Sequence, residues 1–271
     1  LIKCPYSFLL ESIKGPEKIA RYSFIGTEPF LIFTVKDGIV EIKFEGQESE
    51  NPPLPPFDKG GQRGDFSKGG MGGFSGAPLK RLKELLTAYK IKSLPNLPPF
   101  IGGAMGLLSY DFVHYLERLP RTVIDDLQIP DAHFLFFDTV LAFDHKQKKT
   151  YIISCPGANE IVNSRVQWVK GGDYNLKSHP EQVGTNLKSY YDRAFERINK
   201  LYEKVDARCK IQDTKELISS KRRIEIHHEM SKENYMNIVK KAKEYIKAGD
   251  IFQANLSQRV SASIGNTDQW E

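Results

Sequence analysis

Two clusters in this sequence carry side chains suited to holding a small charged molecule. In the first, Leu9-Leu10-Glu11-Ser12 ends in a carboxylate and a hydroxyl, and Arg21-Tyr22-Ser23-Phe24-Ile25-Gly26 follows on the next predicted strand. A carboxylate can take an α-ammonium, and a hydroxyl can hydrogen-bond an amide or carboxylate. Glu11, Ser12, Arg21 and Ser23 therefore outline an amino-acid pocket; the plainer reading is a cross-strand Glu–Arg pair. In the second cluster, Gln253, Asn255, Ser257 and Arg259 alternate with Phe252, Ala254 and Leu256. On a strand, alternate side chains share a face about 7 Å apart. That row of amides, hydroxyl and guanidinium suits a polar, carboxylate-bearing small molecule; the plainer reading is a wet sheet face.

Other chemistry is poorly supported. His227-His228-Glu229 is the one histidine-rich spot, but neighbours on a strand point to opposite faces and would not share an ion. No GxSxG or HExxH run is present. Cys4, Cys155 and Cys209 are an odd number without CxxC spacing, which argues against a disulfide framework or a structural zinc site, and they have no fixed spacing to a His that would support a thiol nucleophile. A reducing, cytoplasmic location is expected from that usage. Residues 51–76 hold 8 Gly and 4 Pro, and Phe57, Lys59, Gly60, Gly61 and Gly64 recur nine positions on as Phe66, Lys68, Gly69, Gly70 and Gly73. No GK[ST] closes a phosphate-binding loop there, so a low-complexity surface insertion is expected.

Thirty-nine basic and 34 acidic residues give a net charge of +5, interleaved rather than gathered in a patch. That argues against a nucleic-acid partner. No apolar run is long enough to span a membrane, and 11 % aromatic content argues against disorder.

The elements that must position these groups can be read from periodicity. Strands are expected near 7–12 and 21–26, then at Phe30–Lys36 and Ile39–Phe44 around Asp37-Gly38, a hairpin-turn pair. Pro78, Leu79, Leu82, Leu86 and Tyr89 suggest a helix. Residues 100–108 read as a buried strand whose glycines permit close approach, and Ser109 as the cap of a short helix carrying Phe112, Tyr115, Leu116 and Leu119. His133–Phe143 and Thr150–Ser154 suggest a hairpin, and residues 156–187 a connecting segment. Tyr191, Ala194, Ile198, Leu201 and Val205 mark an amphipathic helix. Ser231 should cap another, with Tyr235, Val239, Ala242 and Ile246 on its buried face and Gly249 at its end. Ile251–Ser263 alternates as a strand.

Four motifs in order resemble component I of the chorismate-aminating synthases, the family of anthranilate synthase and aminodeoxychorismate synthase component I. They are Leu9-Leu10-Glu11-Ser12, Arg21–Gly26, the run Gly102-Gly103-Ala104-Met105-Gly106-Leu107-Leu108-Ser109-Tyr110-Asp111, and Gly249–Arg259. Asp125-Asp126-Leu127, Pro130-Asp131 and Phe143-Asp144-His145 also fit. The resemblance implies an α+β fold, two antiparallel sheets packed as a sandwich flanked by helices. It divides the chain into a component I-like domain at 1–207, a linker at 208–230 and the start of a chorismate-binding domain at 231–271.

The resemblance also implies chorismate as substrate, Mg²⁺ as cofactor, a glutamine amidotransferase subunit as ammonia source and, in tryptophan-regulated members, L-tryptophan bound near Ser12. It places the metal-binding and catalytic residues beyond residue 271, so the chain is expected to be an N-terminal fragment, inactive alone. Asn255 and Ser109 lean the reading toward aminodeoxychorismate synthase, in folate biosynthesis. The alternatives are anthranilate synthase, in tryptophan biosynthesis, and a non-catalytic amino-acid-binding module.

Overall fold

The computed structural model describes residues 6–11, 20–44, 77–89, 94–120, 124–159, 162, 166–169, 173–176, 187–209 and 225–263. The 51–76 insertion and Ser12 lie outside them. The chain divides into two compact units, Leu1–Ile211 and Gln212–Glu271.

In the first unit, β1 (Phe8–Leu10), β2 (Tyr22–Gly26), β7 (Thr139–Asp144) and β8 (Lys149–Ser154) form one antiparallel sheet in the order β1-β2-β7-β8. A second sheet takes β3 (Leu31–Lys36), β4 (Ile39–Phe44), β5 (Gly103–Leu108) and β6 (Ala132–Phe137) in the order β4-β3-β6-β5, also antiparallel. Strand alternation sends the residues of the second sheet to two cores. Ile32, Met105, Leu135 and Phe137 meet Phe8, Phe24, Val140 and Ala142 of the first sheet. Leu31, Phe33, Val35 and Phe136 face the other way, onto Leu82, Leu85 and Tyr89 of helix α1 (Ala77–Ala88) and its end. Helix α2 (Leu187–Cys209) packs on β7 and β8. The expected sandwich flanked by helices is therefore the architecture of this unit.

Several local expectations change. The run 133–143 is two strands in different sheets: β6 ends at Phe137, β7 begins at Thr139, and Asp138 lies between them. Asp138 is buried and ion-paired to Arg197 of α2, which pins the crossing. Helix α1 turns Pro78, Leu82, Leu85 and Tyr89 inward, whereas Leu79 and Leu86 are exposed. On α2, Ala194 is buried as expected but Tyr191 is exposed. Strand β5 is an edge strand rather than a buried one, with Leu107 and Leu108 exposed. Residues 156–187 contain an antiparallel hairpin, β9 (Val166–Val169) with β10 (Asp173–Leu176). Its signal in the sequence is Val166-Gln167-Trp168-Val169 just before Gly171-Gly172.

The Asp37-Gly38 turn is as expected: both residues take positive φ, at 49° and 82°, and Lys36 pairs with Ile39. The turn is tied down from outside. Tyr115 Oη accepts the Gly38 N–H (2.6 Å) and donates to Asp131 Oδ2 (2.6 Å), which also accepts the Asp37 N–H (2.9 Å). Tyr115 ends a 3-10 helix, Tyr110–Tyr115, that buries Phe112. Ser109 precedes that helix but does not cap it; its buried Oγ has no hydrogen-bond partner. Leu116 and Leu119 are exposed rather than packed.

In the second unit, helix α3 spans Lys232–Ala248. Ser231 Oγ accepts the Asn234 N–H at 3.2 Å, the N-cap its type predicts. Gly249 ends the helix at φ 85°, its N–H bonded to Ile246 O. Tyr235, Val239 and Ala242 are half-buried, but Ile246 is exposed. The expected strand over 251–263 shrinks to β12 (Val260–Ala262), paired antiparallel with β11 (Ile226–His228). Alternation alone does not make a strand, since backbone N–H and C=O groups need a ladder partner. Here β11 offers three residues, opposite 260–262, and Phe252 is 94 % exposed.

Candidate functional site

The first cluster gathers where β1, β2 and β7 meet. The β1–β2 register sets Leu10 opposite Phe24, and the β2–β7 register sets Tyr22 opposite Asp144. Arg21, just before β2, reaches Asp144 rather than Glu11: Nη2 donates to Oδ2 at 2.6 Å, and Nε lies 3.1 and 3.2 Å from the two carboxylate oxygens. Its guanidinium also lies over the Tyr22 ring, 4.8 Å from the centroid. Asp144 Oδ1 accepts the Lys146 and Gln147 N–H groups at 3.0 and 2.9 Å. Buried Ser23 places its Oγ 2.7 Å from His145 Nε2, and the His145 N–H donates to Arg21 O. Glu11 is exposed just past β1.

The structure therefore joins Arg21 and Ser23 to Asp144 and His145, leaves Glu11 open to solvent, and makes the Glu–Arg cross-strand pair the wrong partner choice. The residues missed were Asp144 and His145. Their signal was present in Phe143-Asp144-His145, which the family resemblance singled out without a role.

The Arg21 guanidinium, with help from the Lys146 and Gln147 amides, holds the Asp144 carboxyl at about 2, against the opposing pull of burial. A carboxyl with a folded value below its unfolded one adds stability once ionised. That contribution is present above about pH 4, the unfolded range, and is lost as pH falls toward 2. In acid titrations followed by circular dichroism, Asp144→Asn is expected to lose less stability than the wild type across this window. Parallel curves would show that the pair does not carry the acid sensitivity.

The second cluster is extended but not in a sheet. Gln253, Asn255, Ser257 and Arg259 are all exposed. Gln253 Nε2 donates to Asn255 Oδ1 at 3.3 Å, so these two share a face as the alternation requires. The backbone is held at two points: Leu256 O accepts the Tyr235 hydroxyl, and Arg259 O accepts the Glu229 N–H. Asn255 and its neighbours present polar groups without enclosing a site.

Among the described residues, no three His, Cys, Asp or Glu side chains converge as a metal site would require. Those residues do not supply the cluster of carboxylates that the implied Mg²⁺ would need. Among the same residues, no helix is long and apolar enough to cross a membrane.

A family model described as "chorismate binding enzyme" matches residues 59–271. The chain belongs to this family. Among curated relatives, the anthranilate synthase component 1 of Acetivibrio thermocellus is 34 % identical over 256 residues, covering 93 % of this chain and 42 % of that protein. The Thermus thermophilus anthranilate synthase component 1 is 29 % identical over 97 % of this chain and 43 % of its own length. The aminodeoxychorismate synthase component 1 of Bacillus subtilis is 26 % identical over 94 % of this chain and 42 % of its own length. The chain thus spans about two-fifths of these relatives. The fold matches a crystal structure of anthranilate synthase component I from Streptococcus pneumoniae, with a TM-score of 0.55 and 20 % identity, over 98 % of this chain and 46 % of that one.

Proposed function

We propose that this chain is part of an anthranilate synthase component I, the large subunit that converts chorismate and ammonia to anthranilate and pyruvate. The observation carrying this reading is its 34 % identity to an anthranilate synthase, against 26 % to an aminodeoxychorismate synthase. It replaces the lean toward aminodeoxychorismate that rested on Asn255 and Ser109. Ser109 proves to be a half-buried residue just before the 3-10 helix, its Oγ alone shut off from solvent, and Asn255 an exposed one on an irregular segment; neither lines an enclosed site that could select a product. Ammonia would come from a glutamine amidotransferase subunit, and Mg²⁺ would be held by residues other than those described.

In this reading Glu11 and Ser12 touch a tryptophan effector, while Arg21 and Ser23, engaged with Asp144 and His145, hold β2 in place beside β1, the strand that precedes Glu11. Calorimetry with L-tryptophan on the 271-residue chain tests the branch. Binding is expected, and Ser12→Ala should weaken it by about 1 kcal/mol through one lost hydrogen bond. No binding in the wild type would favour aminodeoxychorismate synthase.

The chain alone is expected not to turn over chorismate, because it spans about two-fifths of its relatives and the family resemblance places the metal-binding and catalytic residues outside that part. Incubation with chorismate, Mg²⁺ and ammonium should yield no anthranilate fluorescence above background. Product that persists after removal of contaminating enzyme would place the chemistry within this chain. Tryptophan binding without turnover is also what the amino-acid-binding module would show. The two separate when the chain is extended to the length of its relatives, since only a synthase part then gains activity.

A further inference from the structure

A cavity of about 280 Å³ opens within the first unit where the end of α1, residues 94–101 and the end of β8 come together. Ala88, Leu97, Ile101, Ile153 and Ala158 supply apolar wall, and Leu94, half exposed, stands where that wall meets solvent. The side-chain polar groups of the described wall are already engaged. The Tyr89 hydroxyl donates to Phe137 O at 2.9 Å, the Cys155 thiol donates to Ile101 O at 3.3 Å, and Ser154 Oγ lies 3.0 Å from Thr139 Oγ1. Among the described residues, no Asp, Glu, Lys or Arg lines the space. Burial also pushes the Cys155 thiol up, which keeps it neutral.

These features define a ligand class. Against the described wall, a charged occupant would lose its hydration without gaining a counter-ion or an unused side-chain hydrogen bond. A neutral apolar one would displace water that the wall holds poorly. Size follows from volume: an apolar cavity of about 150 Å³ accepts one benzene ring, so a space nearly twice as large has room for two fused rings. The wall is preformed. A Cβ on Gly102 would come within 2.4 Å of the Tyr89 hydroxyl and 3.5 Å of Cys155 Sγ, so the backbone packs directly beneath both groups. We propose that this cavity is a binding site for an uncharged, mainly apolar ring compound of one or two fused rings, held by contact rather than by hydrogen bonds. None of the residues proposed to contact tryptophan lines it.

Cys155 makes the site testable. In the full chain carrying Cys4→Ser and Cys209→Ser, alkylation of Cys155 by N-ethylmaleimide is followed with indole as neutral probe and indole-3-acetate as its charged counterpart. Saturating indole should slow alkylation about tenfold and raise the melting temperature, as any ligand of the native state must. Indole-3-acetate should do neither. Leu94→Asp, at an exposed position that leaves the fold intact, should abolish the indole effect. If Cys155 reacts too slowly to follow, the melting shift and its loss in Leu94→Asp decide alone. Unchanged alkylation and melting with millimolar indole would overturn the proposal. So would equal effects of the two probes, or an indole effect that survives Leu94→Asp.

Discussion

Phe136→Ala is expected to destabilise the sandwich by about 3–5 kcal/mol, the cost of deleting a large aromatic side chain from a packed core. Phe136 is fully buried on β6, a central strand of its sheet, and faces Phe30 edge-on at 6.2 Å. Leu31 of β3 and Ala104 of β5 are its register partners on either side. The void would open beneath α1, so that helix should loosen first. Urea unfolding followed by circular dichroism measures the loss. A change below about 1 kcal/mol, the usual range for surface positions, would mean that the packing at β6 is wrongly placed.

Gly106→Ala should cost about 1–3 kcal/mol, the range for forcing extra atoms into a packed site. A Cβ at Gly106 would come within 2.1 Å of His133 O and 2.7 Å of Phe134 Cα, both backbone atoms of β6. No rotamer change can relieve that contact, so β5 must move. Paired among the described strands with β6 alone, it can do so only by loosening that ladder. Hydrogen exchange at the amides of β5 and β6 is therefore expected to accelerate in the variant, while the β2–β7 ladder keeps its protection. Unaltered exchange along β5 would show that the strands have room for the methyl group.

The two variants differ in how visible their cause is from residue order. The glycines of 102–106 announce close backbone approach without naming the neighbour, because a missing side chain says what is excluded and not what does the excluding. Phe136 lies in the apolar run Phe134–Phe137, which Asp138 and Thr139 separate from Val140–Phe143, and nothing in that break says that the chain changes sheets there. The reason lies 59 residues away, in Arg197 on α2. The same distance hides the partner of Arg21, since Asp144 is 123 residues further on.

Local stereochemistry was sufficient for the Asp37-Gly38 hairpin, the Ser231 cap and the Gly249 stop, because each depends on a few consecutive residues and their allowed φ values. Family order was sufficient for the α+β sandwich. Which face of α1 is buried, that β5 is an edge among the described strands, and that Ile251–Arg259 has no ladder partner among the described residues were decided by tertiary structure. Burial and strand pairing are properties of the neighbour as much as of the residue. Alternating polarity at 252–262 satisfies the pattern of a strand, yet pairing needs a second backbone at hydrogen-bonding distance, and the one that β11 provides ends after three residues.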